Sequence, residues 1–281
     1  MPARRDTRAL ARAAYLLGAR HRQARRQPVG EVGRVRPLAS VADPDGRRTI
    51  RAYADGRVAH QVVPALRDPE VWRHPLVAGA FDAALRRDLL AAADDLPALV
   101  DELSAAPHLP AHGDATPNNL LVDPSRPELV LIDFGFWGPA PIGFDLGQLL
   151  IGELQLGERP AAELAANEPA CLAGYVRGLR DEGCTVPEPV VRRAHALQML
   201  LFCGLSSLPL DDLGGPPTPE RLRVARERAA GARFVLDLLA QSATGTPSTS
   251  ARNPAAPSRP DGPLPAPGVI ASGRSVTPAR T

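Results

Sequence analysis

The sequence predicts an α+β fold that is mainly helical and carries one short β-hairpin. Apolar residues recur at helical spacing over long stretches, for example from Phe81 to Leu96. Two short apolar runs, 120–122 and 129–132, flank the segment 123–127, whose prolines and aspartate favour a turn. Hydrophobic residues make up 44% of the chain and aromatic residues only 4%, so leucine, valine and alanine must supply most of the core.

Length and charge limit the possible functions. The 281 residues can bury a full core and suffice for one large domain or two small ones. The net charge is only +2 and the sequence pI is about 8.6, so we expect no nucleic-acid partner. All 33 basic residues are arginine, and the sequence contains no lysine.

The sequence predicts a soluble, cytoplasmic protein without a membrane segment. No uncharged apolar stretch reaches the roughly 18 residues of a membrane span, and the arginine-rich start lacks the apolar centre of a signal peptide. The three cysteines, Cys171, Cys184 and Cys203, have no metal-binding spacing and cannot all pair. We expect them to be small buried residues in a reducing compartment.

Residues 1–27 are strongly basic and carry a helical stripe formed by Leu10, Ala14, Leu17 and His21. An arm that binds nucleic acid or an acidic membrane is one interpretation of this pattern. We favour a surface helix of the domain, because the stripe can be buried against other helices.

Residues 31–60 are predicted to form short strands or loops, with breaks at 43–46 and 54–56. The glycines of 30–35 loosely imitate a nucleotide-covering loop. Because no clear strand precedes them, we favour an ordinary turn.

Further helices are predicted at 81–96, from Pro97 through Leu103, and at about 160–182, 188–207 and 218–241. Residues 1–241 are therefore predicted to form one domain. The tail 242–281 consists chiefly of Ala, Pro, Ser, Thr and Gly, and we predict that it is disordered.

The clearest chemical pattern lies around the predicted hairpin. Asp114 lies in the loop before the first strand, Asn119 directly precedes that strand, and Asp133 follows the second strand. A hairpin centred near Ser125 places Asn119 opposite Ile132, and directly paired residues lie roughly 5 Å apart. We therefore expect the three polar side chains to converge at the open end of the hairpin.

Two carboxylates and an amide are ligands suited to Mg²⁺, which binds through one or two carboxylates and the phosphates of a substrate. They suit zinc poorly, because only His112 offers nitrogen and no cysteine lies near. The residues taken together therefore favour magnesium, although each of them taken singly favours an ordinary polar loop that merely caps a fold.

The pattern His-Gly-Asp-x-x-x-x-Asn at 112–119, followed by Ile-Asp-Phe-Gly at 132–135, resembles the aminoglycoside phosphotransferase family. That family shares the protein kinase fold, so the resemblance implies a protein-kinase-like large lobe. It also implies that Asp114 is the catalytic base and that Asn119 and Asp133 are metal ligands.

The resemblance implies that two more residues support the catalytic loop. His112 would brace the loop. Asp145 begins a predicted helix, where local rules predict an N-cap, and the resemblance implies that its side chain hydrogen-bonds the backbone of the loop. We expect Asp145 to be structural support and not catalytic.

The implied function is an ATP- and Mg²⁺-dependent phosphotransferase that moves a phosphoryl group to a hydroxyl of a small molecule. An aminoglycoside, another amino alcohol and a sugar are all possible acceptors. A polycationic acceptor would need an acidic pocket, and the nearest acids are Glu153, Asp211, Asp212 and Glu220. The alternative is a non-catalytic binding or scaffold module that keeps the large-lobe fold.

The small N-terminal lobe of the family, with its phosphate-binding lysine, has no counterpart in the sequence. Only about 110 residues precede the catalytic loop, and they match large-lobe helices better than a sheet. Three explanations stay open: a truncated product or misplaced start, a degenerate family member, and a small lobe supplied by another chain. The residues that bind the nucleotide and the oligomeric state are not predicted.

Overall fold

A computed structural model describes residues 7–19, 47–122 and 129–244. The glycine pattern at 30–35, the break at 43–46 and most of the predicted disordered tail 242–281 lie outside the described residues. The predicted start of that tail is wrong, because residues 242–244 form the end of the last helix.

Helices form most of the described structure. They are α1 (Thr7–Ala19), α2 (Arg47–Tyr53), α3 (Val63–Arg67), α4 (Pro69–Arg73), α5 (Pro75–Ala78), α6 (Ala83–Asp94), α7 (Leu96–Ala105), α8 (Phe144–Gln155), α9 (Leu164–Asp181), α10 (Glu188–Met199) and α11 (Pro219–Thr244). Two π-helical segments, Ala54–Val62 and Leu200–Gly204, directly continue α2 and α10. The helices predicted near 81–96, after Pro97 and in the C-terminal half are confirmed.

Four short strands form two separate antiparallel pairs. Strand β1 (His108–Ala111) pairs with β4 (Gly138–Pro141), and β2 (Leu120–Val122) pairs with β3 (Leu129–Leu131). The β2–β3 pair confirms the predicted hairpin. The β1–β4 pair, which the sequence did not predict, encloses that hairpin in the chain order and joins the two ends of the segment that carries the polar residues.

Residues 47–60 differ from the predicted strands or loops, and the helical chain continues to Arg67. Residues 47–67 form α2, a π-helical segment and α3 in unbroken succession, so the break predicted at 54–56 is wrong. Ala54, Val58 and Val62 are buried at four-residue spacing. Burial of this apolar row outweighs the local turn preference of an Asp-Gly pair, because tertiary packing overrides weak local propensity.

Helix α1 is part of the domain. Its stripe residues Leu10, Ala14 and Leu17 are buried in the hydrophobic core, and α1 packs along α9. This packing confirms the interpretation of the basic N-terminal segment as a helix of the domain.

Glycines permit the close approach of α1 and α9. A Cβ added at Gly178 of α9 would collide with the carbonyl oxygen of Tyr15, and one at Gly174 would collide with that of Ala11. The two helix backbones therefore touch where a larger side chain would separate them.

A single hydrophobic core, rich in leucine, valine and alanine as predicted, joins the described helices. Cys171 and Cys203 are buried in it and Cys184 is half-buried, and all three are free thiols. Burial raises the pKa of both Cys171 and Cys203 to about 12, so these thiols stay protonated and unreactive at neutral pH. Within the described residues, no helix has the length and apolar character to cross a membrane.

Candidate active site

Asp114 and Asn119 are in direct contact. The side-chain amide Nδ2 of Asn119 donates to both the backbone oxygen and Oδ2 of Asp114, each at 2.9 Å. Both residues are half-buried. Oδ1 of Asp114 accepts no hydrogen bond from the residues that the structure describes, so one carboxylate oxygen is held in place and the other stays available.

The register of the hairpin brings Asp133 to the same end. Leu120 pairs with Leu131, and the backbone N–H of Ile132 donates to the carbonyl oxygen of Asn119 at 3.1 Å. The sequence predicted this register. Asp133 follows immediately and is exposed.

Asp133 has an unusual backbone conformation. Its φ of 59° and ψ of 72° lie in the left-handed region. Within the described ranges, no other residue except glycine has a positive φ. Aspartate tolerates this region better than most residues do. The carboxylate accepts the N–H of Gly135 at 3.4 Å, as the cap of a short 3₁₀ turn at Phe134–Phe136. Residues held in such conformations cluster at functional sites.

His112 connects the loop with the hairpin. Its Nδ1 accepts the backbone N–H of Asp114 at 3.3 Å, and its Nε2 lies 2.8 Å from the carbonyl oxygen of Ile132. A carbonyl oxygen can only accept, so we assign the proton of the neutral ring to Nε2. The imidazole is buried and lies against Phe134, with 5.2 Å between the ring centroids.

Asp145, on α8, hydrogen-bonds the same loop. Its two carboxylate oxygens accept the backbone N–H of His112 at 2.8 Å and that of Gly113 at 3.0 Å. These two hydrogen bonds to the loop backbone are the ones that the family resemblance predicted. The N-cap role predicted from local rules is wrong, because Gly143 occupies the N-cap position of α8 and Asp145 lies within the first turn. The carboxylate thereby joins the start of α8 to the loop.

Two glycines make this arrangement possible, and sequence reasoning missed both. Gly113 has a φ of +83°, and a Cβ there would collide with the carbonyl oxygen of Phe136. Gly143 has a φ of +86°. The signal that could have revealed them is a glycine one or two residues before an important acid, where left-handed backbone is needed.

The polar groups fit a hard cation only in part. Among the described residues, no group of three or more His, Cys, Asp and Glu could hold a metal ion. The amide nitrogen of Asn119 faces Asp114, which leaves the amide oxygen for another partner. Oxygens of Asn119 and Asp133 with substrate phosphates would form the kind of oxygen-rich, substrate-completed site that Mg²⁺ uses.

The four acids considered for a polycationic acceptor are all paired with arginine. The pairs are Glu153 with Arg159, Asp211 with Arg57, Asp212 with Arg221, and Glu220 with Arg223. Glu153 also lies beside a buried guanidinium, so its charge is largely neutralised. These carboxylates therefore do not form an uncompensated acidic pocket.

An exposed apolar face borders the polar groups. Leu121 and Val130 pair across the hairpin, and these side chains and Ile132 are 47%, 49% and 41% exposed. Phe134 and Phe136 continue the exposed apolar surface beyond Asp133. A row of exposed apolar side chains beside a polar site marks a surface that binds a ligand or another protein segment.

The sequence profile of the phosphotransferase enzyme family, APH, matches residues 2–177, which is more than half of the chain and includes the loop, the hairpin and Asp145. The chain belongs to this family. A comparison with curated proteins found no match.

A solved structure supports the same assignment for the fold of this APH-family protein. The aminoglycoside phosphotransferase from Alicyclobacillus acidocaldarius subsp. acidocaldarius DSM 446 superposes with a TM-score of 0.54 at 19% sequence identity. The match covers 85% of this chain and 67% of that one. At such low identity the likeness shows the fold, and it confirms the predicted α+β architecture of kinase type.

Proposed function

We propose that this APH-family protein transfers the γ-phosphoryl group of ATP to a hydroxyl of a small molecule. The observation that carries the proposal is the contact of Asn119 with Asp114, which fixes one carboxylate oxygen and leaves the other for a substrate. A positioned carboxylate of this kind can act as a general base.

In the proposed reaction, Oδ1 of Asp114 accepts the proton of the acceptor hydroxyl. The hydroxyl oxygen then forms a bond to the γ-phosphorus, the bond to the bridging oxygen breaks, and ADP leaves with the electron pair of that bond. No covalent enzyme intermediate is needed, since positioning and charge stabilisation supply the catalysis. His112 and Asp145 keep the loop, and with it Asp114, in place.

The amide oxygen of Asn119 and the carboxylate of Asp133 would hold Mg²⁺. When bound, the ion supplies positive charge that offsets the negative charge of the nucleotide phosphates. The left-handed backbone at Asp133 supports this role, because residues held in such conformations cluster at functional sites.

The exposed apolar face supports ATP as the phosphoryl donor. Leu121, Val130 and Ile132 offer a surface on which a flat purine base could be buried, next to groups suited to its phosphates. The paired acids favour a neutral or singly charged acceptor, such as a sugar or an amino alcohol, over a polycationic aminoglycoside. Three free cysteines are compatible with a cytoplasmic location.

Replacement of the base tests this proposal. We expect Asp114→Ala to lower phosphoryl transfer at least about a hundredfold, the usual effect of losing a general base, while the melting temperature stays close to that of the wild type. Asp88→Ala, which removes an exposed carboxylate from α6, is the matched control. Turnover is measured with labelled ATP and a panel of aminoglycosides, choline, other amino alcohols and sugars. Undiminished transfer by Asp114→Ala would reject Asp114 as the base.

The second candidate is a binding or scaffold module without catalysis. The exposed apolar face favours it, because such a face can equally bind a protein segment. The absence of lysine also favours it, since arginine is a poor substitute for the compact charge of a phosphate-binding lysine. A scaffold would show no response to ATP with Mg²⁺, and this outcome separates the two candidates.

A further inference from the structure

One buried peptide unit immediately before α8 is held by two side chains from different helices. The peptide joins Ile142 to Gly143. Its carbonyl oxygen accepts the side-chain Nε2 of Gln198 at 3.2 Å, and its N–H donates to the hydroxyl oxygen of Tyr175 at 3.2 Å. Both polar atoms of a single peptide unit are therefore fixed by side chains.

We propose that Tyr175 and Gln198 are positioning residues of the catalytic loop, which act by fixing the peptide that sets the place of Asp145. The proposal rests on the proposed phosphotransferase function for its catalytic consequence. Its structural part concerns the loop itself and can be tested without any substrate.

The burial of the group makes these two hydrogen bonds important. Ile142 is fully buried, and Tyr175 and Gln198 are each only 2% exposed. Water cannot replace a lost partner at such a place, so a buried peptide group without its hydrogen bond is costly. Burial also raises the pKa of the Tyr175 hydroxyl far above its usual value, so the group stays neutral and can accept the N–H throughout the physiological pH range.

The chain at Ile142 and Gly143, which we call the corner, has little freedom to adjust. Gly143 adopts a left-handed φ of +86° and lies against His195, whose Cβ would be 3.3 Å from an added Cβ. The N–H of Ile142 donates to the carbonyl oxygen of Pro107 at 2.8 Å, which ties the same corner to the start of β1. A shift of the peptide would therefore be passed on along the chain.

The next links of the chain lead directly to the catalytic loop. Asp145 lies two residues beyond Gly143, in the first turn of α8. Its carboxylate accepts the N–H groups of His112 and Gly113, and Asp114 follows. A displaced corner would move this carboxylate and loosen the two amides that it holds.

The two side chains also connect the loop with the helical part of the domain. Tyr175 lies on α9, next to Gly174 and close to Gly178, where α9 contacts α1. Gln198 lies on α10, three residues after His195. The position of the loop is thus fixed by its connection to two packed helices, α9 and α10. This connection does not depend on the hairpin next to Asn119 and Asp133.

Amide hydrogen exchange, measured by NMR on the full chain, tests the proposal. We expect Tyr175→Phe to speed exchange at the amides of His112 and Gly113 about tenfold, the effect of losing one hydrogen bond from a local opening equilibrium. Exchange in α11 should stay unchanged. Tyr15→Phe is the matched control, because it removes a phenol that bonds Asp181 on the same pair of helices without touching the corner.

Gln198→Met provides a second, independent variant. It should produce the same local change, and its control is Gln155→Met, which removes another bond from a side-chain amide to a backbone carbonyl, that of Phe202. Unchanged exchange at His112 and Gly113 in both Tyr175→Phe and Gln198→Met would overturn the proposal. A uniform rise throughout the domain would also overturn it, because that pattern indicates loss of general stability.

Kinetics supply the catalytic readout. For a positioning role, Tyr175→Phe should lower kcat about tenfold while KM for ATP changes less than about twofold. A fall in kcat equal to that of the Tyr15→Phe control would overturn the role. If the wild type shows no phosphoryl transfer, the proposed function fails while the exchange experiment still decides whether the two residues position the loop.

Discussion

The segment that carries the candidate active site and the α1–α9 helix pair are held together in different ways. The segment from β1 to the start of α8 depends on specific polar contacts: His112 with Ile132, Asp145 with Gly113, and Asn119 with Asp114. The α1–α9 pair depends on buried apolar side chains and on glycines at the backbone contact. The helix pair therefore stabilises the fold, whereas the polar contacts of the segment fix the positions of its side chains.

The difference is also visible in the exposed surface. The segment leaves Phe136 65% exposed and Val130 49% exposed. It also contains left-handed backbone at Gly113, Asp133 and Gly143. Such features lower local stability and persist where a ligand or a mechanism needs them. We therefore expect substitutions in the helix pair to change stability and substitutions in the segment to change ligand response.

The largest loss of stability is expected for Gly178→Ala. The added Cβ would meet the carbonyl oxygen of Tyr15, and two helix backbones would have to move apart. Overpacking of this kind typically costs roughly 1–3 kcal/mol and occasionally more. The free energy of unfolding in urea measures the effect.

Gly56→Ala is the matched control for that substitution. Nothing lies within 4 Å of a Cβ added at Gly56, and the residue lies in a helical segment, so alanine should stabilise by about 0.5–1 kcal/mol. If Gly178→Ala were as harmless as Gly56→Ala, the close contact of α1 with α9 would be disproved.

A smaller loss, of roughly 2 kcal/mol between pH 7 and pH 5, is expected from titration of His195. Burial, and to a smaller extent the positive charge of the nearby Arg192, lowers the pKa of this imidazole from 6.5 to about 3. In the unfolded chain this imidazole binds a proton near pH 6.5, whereas in the folded chain it stays neutral down to about pH 3. Stability must fall as the pH drops from about 6.5 towards 3.

The variant His195→Gln should remove this part of the pH dependence, and His60→Gln, at an exposed position, should retain it. Glu168 lies 3.5 Å from His195 and has a raised pKa because of its own burial. The effect of Glu168 on stability has the opposite sign, because stability is lost as the pH rises above the pKa that Glu168 has in the unfolded chain. Both variants keep Glu168. The free energy of unfolding is measured in urea at pH 7 and at pH 5. Equal losses of stability in the wild type and in His195→Gln would contradict the prediction.

The smallest global effect, but a large local one, is expected for Gly113→Ala. The positive φ makes alanine unfavourable by roughly 1–2 kcal/mol, and the new Cβ collides with the backbone of Phe136, which is exposed and can move. The loop that carries Asp114 should shift as a result. We expect the thermal response to ATP with Mg²⁺ to be lost while most of the stability remains; a retained response would show that the loop tolerates the shift.

The sequence predicted the parts of the structure that local chemistry determines. The positions of the two apolar runs in the sequence predicted the register of the hairpin, and Asn119 and Ile132 lie opposite each other as predicted. The helices with clear periodicity, α6 and α9 among them, were also predicted. In each case neighbouring residues alone contain the information.

The errors concern residues whose role depends on distant partners. Asp145 satisfies two N–H groups of a loop more than thirty positions away, although local rules assign it to its own helix end. Ala54, Val58 and Val62 hold a helical path through an Asp-Gly pair because they are buried. Likewise, no sequence pattern announces that Tyr175 and Gln198 meet at one peptide.

Asp133 gives the most direct test of the claim that this site binds a nucleotide with Mg²⁺. Asparagine fits the same space and tolerates left-handed backbone, so Asp133→Asn should melt close to the wild type without ligand, as should the control Asp88→Asn. With Mg²⁺ and ATP at about 100 times the dissociation constant, wild type and control should be stabilised by about 2.7 kcal/mol, a rise of roughly 5–10 °C in Tm. Asp133→Asn should lose most of that rise. A wild type that does not respond to ATP and Mg²⁺, together with an Asp133→Asn variant that melts higher because one of two neighbouring negative charges is gone, would contradict the claim.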